Sequence, residues 1–90
     1  MSEVTNSKDR SRYELATDGE TAFAAYRIAD NVITFTHTIV PPALQGQGIA
    51  GRLIGAALAD FRARGMKIIP RCEFVAAYLE KHPDQKDLLA

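Results

Sequence analysis

The 90 residues suffice for one domain, whose core buries roughly two-thirds of the unfolded surface. Eleven basic and eleven acidic side chains cancel and the pI is ≈ 6.7, which argues against nucleic acid or an anionic membrane as partner. One cysteine excludes an internal disulfide and a multi-cysteine zinc site, and no apolar run approaches the ~18 residues that span a bilayer.

Residues 1–11 are polar, with Val4 the one apolar residue after the initiator. They read as a flexible tail ahead of a single domain over 12–90. The opening residues lack the apolar core of a secretory signal, so a cytoplasmic location is expected. Arg12 to Ala16 predicts a short strand, with Tyr13 and Leu15 on one face. Asp18-Gly19 is a hairpin signal. Thr21 to Ile28 predicts the next strand, placing Ala22, Ala24, Tyr26 and Ile28 on one side. Asp30-Asn31 is the following turn, since both residues tolerate a left-handed backbone. Val32 to Val40 is rich in β-branched residues and predicts the longest strand. Strict alternation puts Ile33, Phe35, His37 and Ile39 on one face and Thr34, Thr36 and Thr38 on the other.

Pro41-Pro42 ends that strand, because proline cannot donate to a ladder. A helix is expected from about Gly48 to Arg64. Ala50, Leu53, Ile54, Ala57, Leu58 and Phe61 recur at three- and four-residue steps and form its buried stripe. Arg62 and Arg64 suit its negative end, and Gly65 caps it. Lys67 to Pro70 is a short apolar strand, parallel to its predecessor if the crossover is ordinary. Glu73 to Lys81 predicts a second helix, burying Phe74, Val75, Tyr78 and Leu79, and His82-Pro83 stops it. The last residues are a docked or frayed tail. The order is β-β-β-α-β-α, an α+β fold with a mixed sheet and two helices.

The chemistry concentrates between Pro41 and Arg52. Gly46, Gly48 and Gly51 crowd the junction of a strand and a helix. Glycine permits a sharp turn and close approach of a ligand, and a helix start offers unpaired N–H groups to an anion. A turn that needs small residues only for packing is the plainer alternative.

Gln45-Gly46-Gln47-Gly48-Ile49-Ala50 resembles the Gln/Arg-x-x-Gly-x-Gly/Ala motif of the GNAT acetyltransferase superfamily, with Gln45, Gly48 and Ala50 in its fixed positions. From about Arg12 to Leu88 the chain is similar to that superfamily's very small single-domain branch, called YjdJ-type. The stretches that carry this are Tyr26-Arg27, His37-Thr38-x-Val40-Pro41, Pro70-x-Cys72-x-Phe74-Val75 and His82-Pro83. The branch commonly has a glutamate where this chain has Ile39, so a carboxylate base is missing there.

The resemblance implies a minimal GNAT-like fold and an acetyl-CoA-dependent N-acetyltransferase acting on an unidentified amine, protein or small molecule. The alternative is a non-catalytic module that binds acetyl-CoA or CoA, or an interaction protein on the same fold. The CoA pyrophosphate would rest on the N–H groups of Gln47, Gly48, Ile49, Ala50 and Gly51, within a loop begun by Gln45 and Gly46. Arg52 would add a charge-assisted hydrogen bond. The pantetheine arm would run along Ile39 and Val40. Cys72 stands at a predicted helix start beside Arg71 and would be a nucleophile, or a small buried side chain. His37 would be a general base, or a half-buried histidine bonded to backbone. Tyr78 is a core or groove residue, or, by analogy with the superfamily, a proton donor to the departing thiolate. No metal is expected, because His37, Cys72 and His82 lack zinc-ligand spacing.

Overall fold

A computed structural model describes residues 4–17 and 19–90. Five strands lie in the order in which they occur in the chain: β1 (Val4–Ser7), β2 (Arg12–Thr17), β3 (Glu20–Ala29), β4 (Val32–Ile39) and β5 (Lys67–Pro70). The first four pair antiparallel, and β5 adds to β4 in parallel. The helix α1 (Ile49–Ala63) connects β4 to β5, and α2 (Glu73–Lys81) follows. Asp30 and Asn31 take φ values of +53° and +63° and close the β3–β4 hairpin as expected. In the preceding hairpin Gly19 has φ +77°, while Asp18 lies outside the described residues, as do residues 1–3.

Where a loose tail was expected, Val4–Ser7 forms the edge strand of the sheet. Four residues that end in Asn6-Ser7 are too short a pattern to announce a strand, and the pairing is supplied by its neighbours. Val4 packs against the core, and the Tyr26 hydroxyl donates to Asn6 Oδ1 at 2.6 Å. These contacts join residues far apart in the chain, which local composition does not reveal. The element order is therefore β-β-β-β-α-β-α.

One face of the sheet is covered. Tyr13, Leu15, Ala22, Ala24, Ile33, Phe35 and Ile68 meet Leu53, Ile54, Ala57, Leu58 and Phe61 of α1, with Val75 and Leu79 of α2 in the same core. Rings of Tyr13, Tyr26, Phe35 and Phe61 lie 5.4 to 5.9 Å apart, mostly edge to face. On the opposite face Arg12, Glu14, Phe23, Arg27, His37 and Ile39 all keep solvent exposure. Ile28, expected with the core, is 53% exposed near the end of β3.

The Tyr13 hydroxyl donates to Asp60, which Arg64 also holds at 3.1 Å. Burial first, and then the Asp60 carboxylate, push the Tyr13 phenol well above its ordinary value of 10.0. A raised folded pKa gives stability that is complete below the unfolded value and is lost as pH rises past it. Unfolding measured across alkaline pH is therefore expected to show the parent losing stability above about pH 10, with a shallower loss in Tyr13→Phe. Parallel curves would show that this phenol ionises freely.

The tail after α2 is docked. Leu88 is buried, Arg62 holds both Asp87 oxygens at 2.8 Å, and Ala90 N–H donates to the Ile68 carbonyl at 2.9 Å.

A bulge in β4 changes the expected alternation. Ala25 pairs with His37, but the next residue, Tyr26, pairs with Phe35, so Thr36 is extra. An extra residue turns every later side chain to the other face. Ile33 and Phe35 point into the core, yet beyond the bulge it is Thr38 that is buried, while His37 and Ile39 stand on the open face. The single face predicted for Ile33, Phe35, His37 and Ile39 is thus corrected.

Candidate active site

The pairing of β4 with β5 stops at Phe35 and Pro70. Pro70 has no N–H to donate, and Arg71 N–H turns back to the Ile69 carbonyl at 3.2 Å. The chain then enters α2 while β4 runs on to Ile39. The two segments part, leaving the end of β4 without a paired strand on its β5 side among the described residues. Thr38 Oγ1 and Cys72 Sγ meet at 3.2 Å across the fork.

A cavity of ≈ 530 Å³ opens there. Thr38, Ile39 and Val40 form one wall, and Gln45, Gly46 and Gly48 form the loop above it. Ile49, Ala50 and Gly51 add the first turn of α1, with Leu44 and Phe74 completing the lining. Two side-chain amides brace the loop: Gln45 Nε2 donates to the Val40 carbonyl at 3.1 Å and Gln47 Nε2 to the Ala43 carbonyl at 3.4 Å. Gly46 and Gly48 take φ values of +82° and +71°, which side chains rarely adopt. The first bond of α1 runs from Arg52 N–H to the Gly48 carbonyl at 3.1 Å. The N–H groups of Ile49, Ala50 and Gly51 therefore have no acceptor within the helix.

Gly51 is the informative glycine. Its φ is not left-handed, and a Cβ built on it meets nothing within 4 Å. Glycine inside a helix costs about 1 kcal/mol relative to alanine, and neither turn geometry nor packing requires it here. Gly55 differs, since a Cβ there would lie 3.0 Å from the Tyr78 hydroxyl.

Eight of the ten expected cofactor-binding residues, Ile39, Val40, Gln45, Gly46, Gly48, Ile49, Ala50 and Gly51, line this cavity. Gln47 and Arg52 are exposed beside it. Cys72 occupies the N-cap of α2, 5% exposed and behind Thr38, outside the lining. His37 lies on the open face, edge-on to Phe23 at 5.8 Å, with Nδ1 3.3 Å from Thr36 Oγ1. Sequence reasoning missed Thr38, whose inward turn depends on the bulge, and Leu44. It also placed Phe74 in the core, whereas that ring is 49% exposed and lines the cavity. Val75 and Leu79 of the same helix are buried, as expected.

A second groove of ≈ 360 Å³ continues from Gly48, Ala50, Gly51 and Phe74 between the helices, reaching Tyr78, Lys81 and His82. Among the described residues no group of three or more His, Cys, Asp or Glu side chains could hold a metal ion, and no helix is long and apolar enough to cross a membrane.

A sequence model described as GCN5-related N-acetyl-transferase matches residues 12–88. The fold is similar to the NMR solution structure of a GCN5-like candidate N-acetyltransferase from Staphylococcus aureus, with a TM-score of 0.75 and 30% identity. That likeness covers 98% of this chain and 87% of the other. No curated protein matches.

Proposed function

Because this chain belongs to the GCN5-related N-acetyltransferase family, we propose that it is an acetyl-CoA-dependent enzyme that acetylates an amine, acting in the cytoplasm. The observation that carries this reading is the fork between β4 and the chain after β5, closed above by the glycine-lined start of α1. A thioester arm fits a strand edge with unused backbone groups, and a pyrophosphate fits three unpaired N–H groups at a helix start. The open space at Gly51 is the close approach that a phosphate on this helix requires.

In the reaction the amine nitrogen bonds to the acetyl carbonyl carbon and the carbon–sulfur bond breaks. The amine loses a proton, and the CoA thiolate gains one. Backbone N–H groups at the end of β4 polarise the carbonyl. The amine arrives from the open face of the sheet, where His37 takes its proton directly or through water. Direct transfer suits the position of Cys72, whose thiol is buried and engaged with Thr38. An acetyl-Cys72 intermediate requires that thiol to turn into the cavity. Incubation with acetyl-CoA is thus expected to leave the protein mass unchanged, and Cys72→Ala is expected to keep transfer within a few-fold of the parent. A stable acetyl adduct absent from Cys72→Ala, together with lost transfer, would establish the covalent route.

The experiment that tests the site is Gly51→Ala. Helix propensity predicts a gain of about 1 kcal/mol in stability. The added methyl occupies the phosphate's space, so calorimetric titration should show acetyl-CoA affinity down tenfold or more. Gly48→Val is less clean, because φ +71° strains any side chain there. A Gly51→Ala protein that is more stable and binds as tightly as the parent would move the pyrophosphate elsewhere.

A second reading, a module that binds acetyl-CoA without transfer, is favoured by Ile39, an apolar residue 47% exposed at the cavity where the branch has a carboxylate. Release of CoA thiol in the presence of lysine peptides, polyamines and small amines separates the two.

A further inference from the structure

We infer that the open face of the sheet selects the acceptor: the amine is presented by an acidic protein segment, whose carboxylates are held by Arg12 and Arg27. This rests on the reading of the cavity as an acetyl-CoA site, and it goes further by naming the acceptor class and the residues that choose it. Strand register lays out the face. One row across it runs Glu14, Phe23 and Ile39, and the next runs Arg12, Ala25 and His37. Arg27 follows Ala25 on the same side of β3, opposite Thr34. Ile39 is where this face meets the cavity. Measured along β3 from Phe23, the partner of Ile39, the row of Arg12 lies about 7 Å away and Arg27 about 13 Å. Ala25 has the shortest side chain there, with Phe23 and Arg27 on either side along the strand and Arg12 and His37 across it. The methyl floors a shallow seat flanked by two arginines.

The charges on this face are not balanced, although the whole chain has zero formal charge. Glu14 is the one carboxylate on the open side of β1 to β4 among the described residues. It is already held, since Arg12 Nε donates to it at 2.6 Å and Arg10 stands 3.7 Å away. The same bond fixes Arg12, whose guanidinium carbon lies 4.2 Å from the centre of the Phe23 ring, and no partner engages its two terminal nitrogens among the described residues. Arg27 is exposed and makes no ion pair among them. Two guanidiniums beside a neutralised acid give a positive potential next to the fork, and their planar N–H pairs match carboxylates. The occupant is a protein segment because the face is flat. Small ligands need a concave site that covers most of their surface, and neither cavity is lined by Arg12, Phe23 or Arg27. An extended segment along β3 with its amine at Ile39 brings its neighbours two and four residues away over the two arginines.

The test measures release of CoA thiol by the full chain with three peptides that share a central lysine and carry Glu, Gln or Arg two and four residues from it. The Glu peptide is expected to have a kcat/KM roughly tenfold above the Gln peptide, the scale of two exposed charge pairs, with the Arg peptide lower still. The advantage should shrink as salt is raised. Arg27→Gln should remove most of it, and Arg27→Glu should turn the preference towards the Arg peptide. Both variants should bind acetyl-CoA as the parent does, which also reports that they are folded. Equal rates on the three peptides, transfer to none of them, or a preference unchanged in Arg27→Glu overturns the inference. So does a dimer in sedimentation that Arg27→Glu dissociates, which would give the face to a second copy of the chain. In each case acetyl-CoA binding with transfer to a small amine leaves the proposed function standing. If acetyl-CoA does not bind the parent, both fall.

Discussion

Acetyl-CoA at a hundredfold excess over its Kd is expected to stabilise this domain by about 2.7 kcal/mol, because the proposed site exists in the folded chain and not in the unfolded one. For a domain of this size that is a rise in melting temperature on the order of 10–20 °C. The cause is local. The cavity is bounded by the end of β4, the loop through Gly46 and Gly48, and the starts of both helices. None of these pieces forms the site unless the others are folded. The shift should grow with the logarithm of ligand concentration, and Gly51→Ala should reduce it despite a higher starting stability. Thermal scans that do not move at millimolar acetyl-CoA would end the acetyl-CoA reading altogether.

Phe61→Ala is expected to cost about 3–5 kcal/mol, the range for removing a buried phenylalanine ring. Phe61 is fully buried, and its ring meets those of Tyr13, Tyr26 and Phe35. It therefore ties α1 to β2, β3 and β4 at once. Small domains hold roughly 5–15 kcal/mol in total, so the loss takes a large share. Urea unfolding should show a lower midpoint with little change in slope, and Phe61→Leu should recover part of the difference. A loss below about 1 kcal/mol would mean that the ring cluster relaxes around the cavity and is not central to the core.

Much of this architecture is written in local residue patterns. The Asp30-Asn31 turn, the β-branched run of β4 and the three- and four-residue apolar steps of α1 each state their own conformation, and each element occurs within a residue or two of its expected bounds. The glycine turn between β4 and α1 is local too, since positive φ at Gly46 and Gly48 is an intrinsic property of glycine. Hence the α+β class and most of the cavity lining were legible without a structure.

Three features were settled only by the assembled sheet. Val4–Ser7 is a strand because β2 offers it a ladder and Tyr26 offers Asn6 a hydrogen bond. The bulge at Thr36 arises from the register between β3 and β4, and no residue in Thr34-Phe35-Thr36-His37 announces it. It turns Thr38 towards Cys72 and sends His37 and Ile39 to the open face, so the positions of both catalytic candidates depend on it. Phe74 faces the cavity because Val75 and Leu79 are the residues that α2 packs into the core, whereas a hydrophobic residue in a nine-residue helix reads equally well as core. Composition and spacing act within one segment at a time. Register, bulges and helix rotation are relations between segments, and they exist only once the strands have paired and the helices have packed on them.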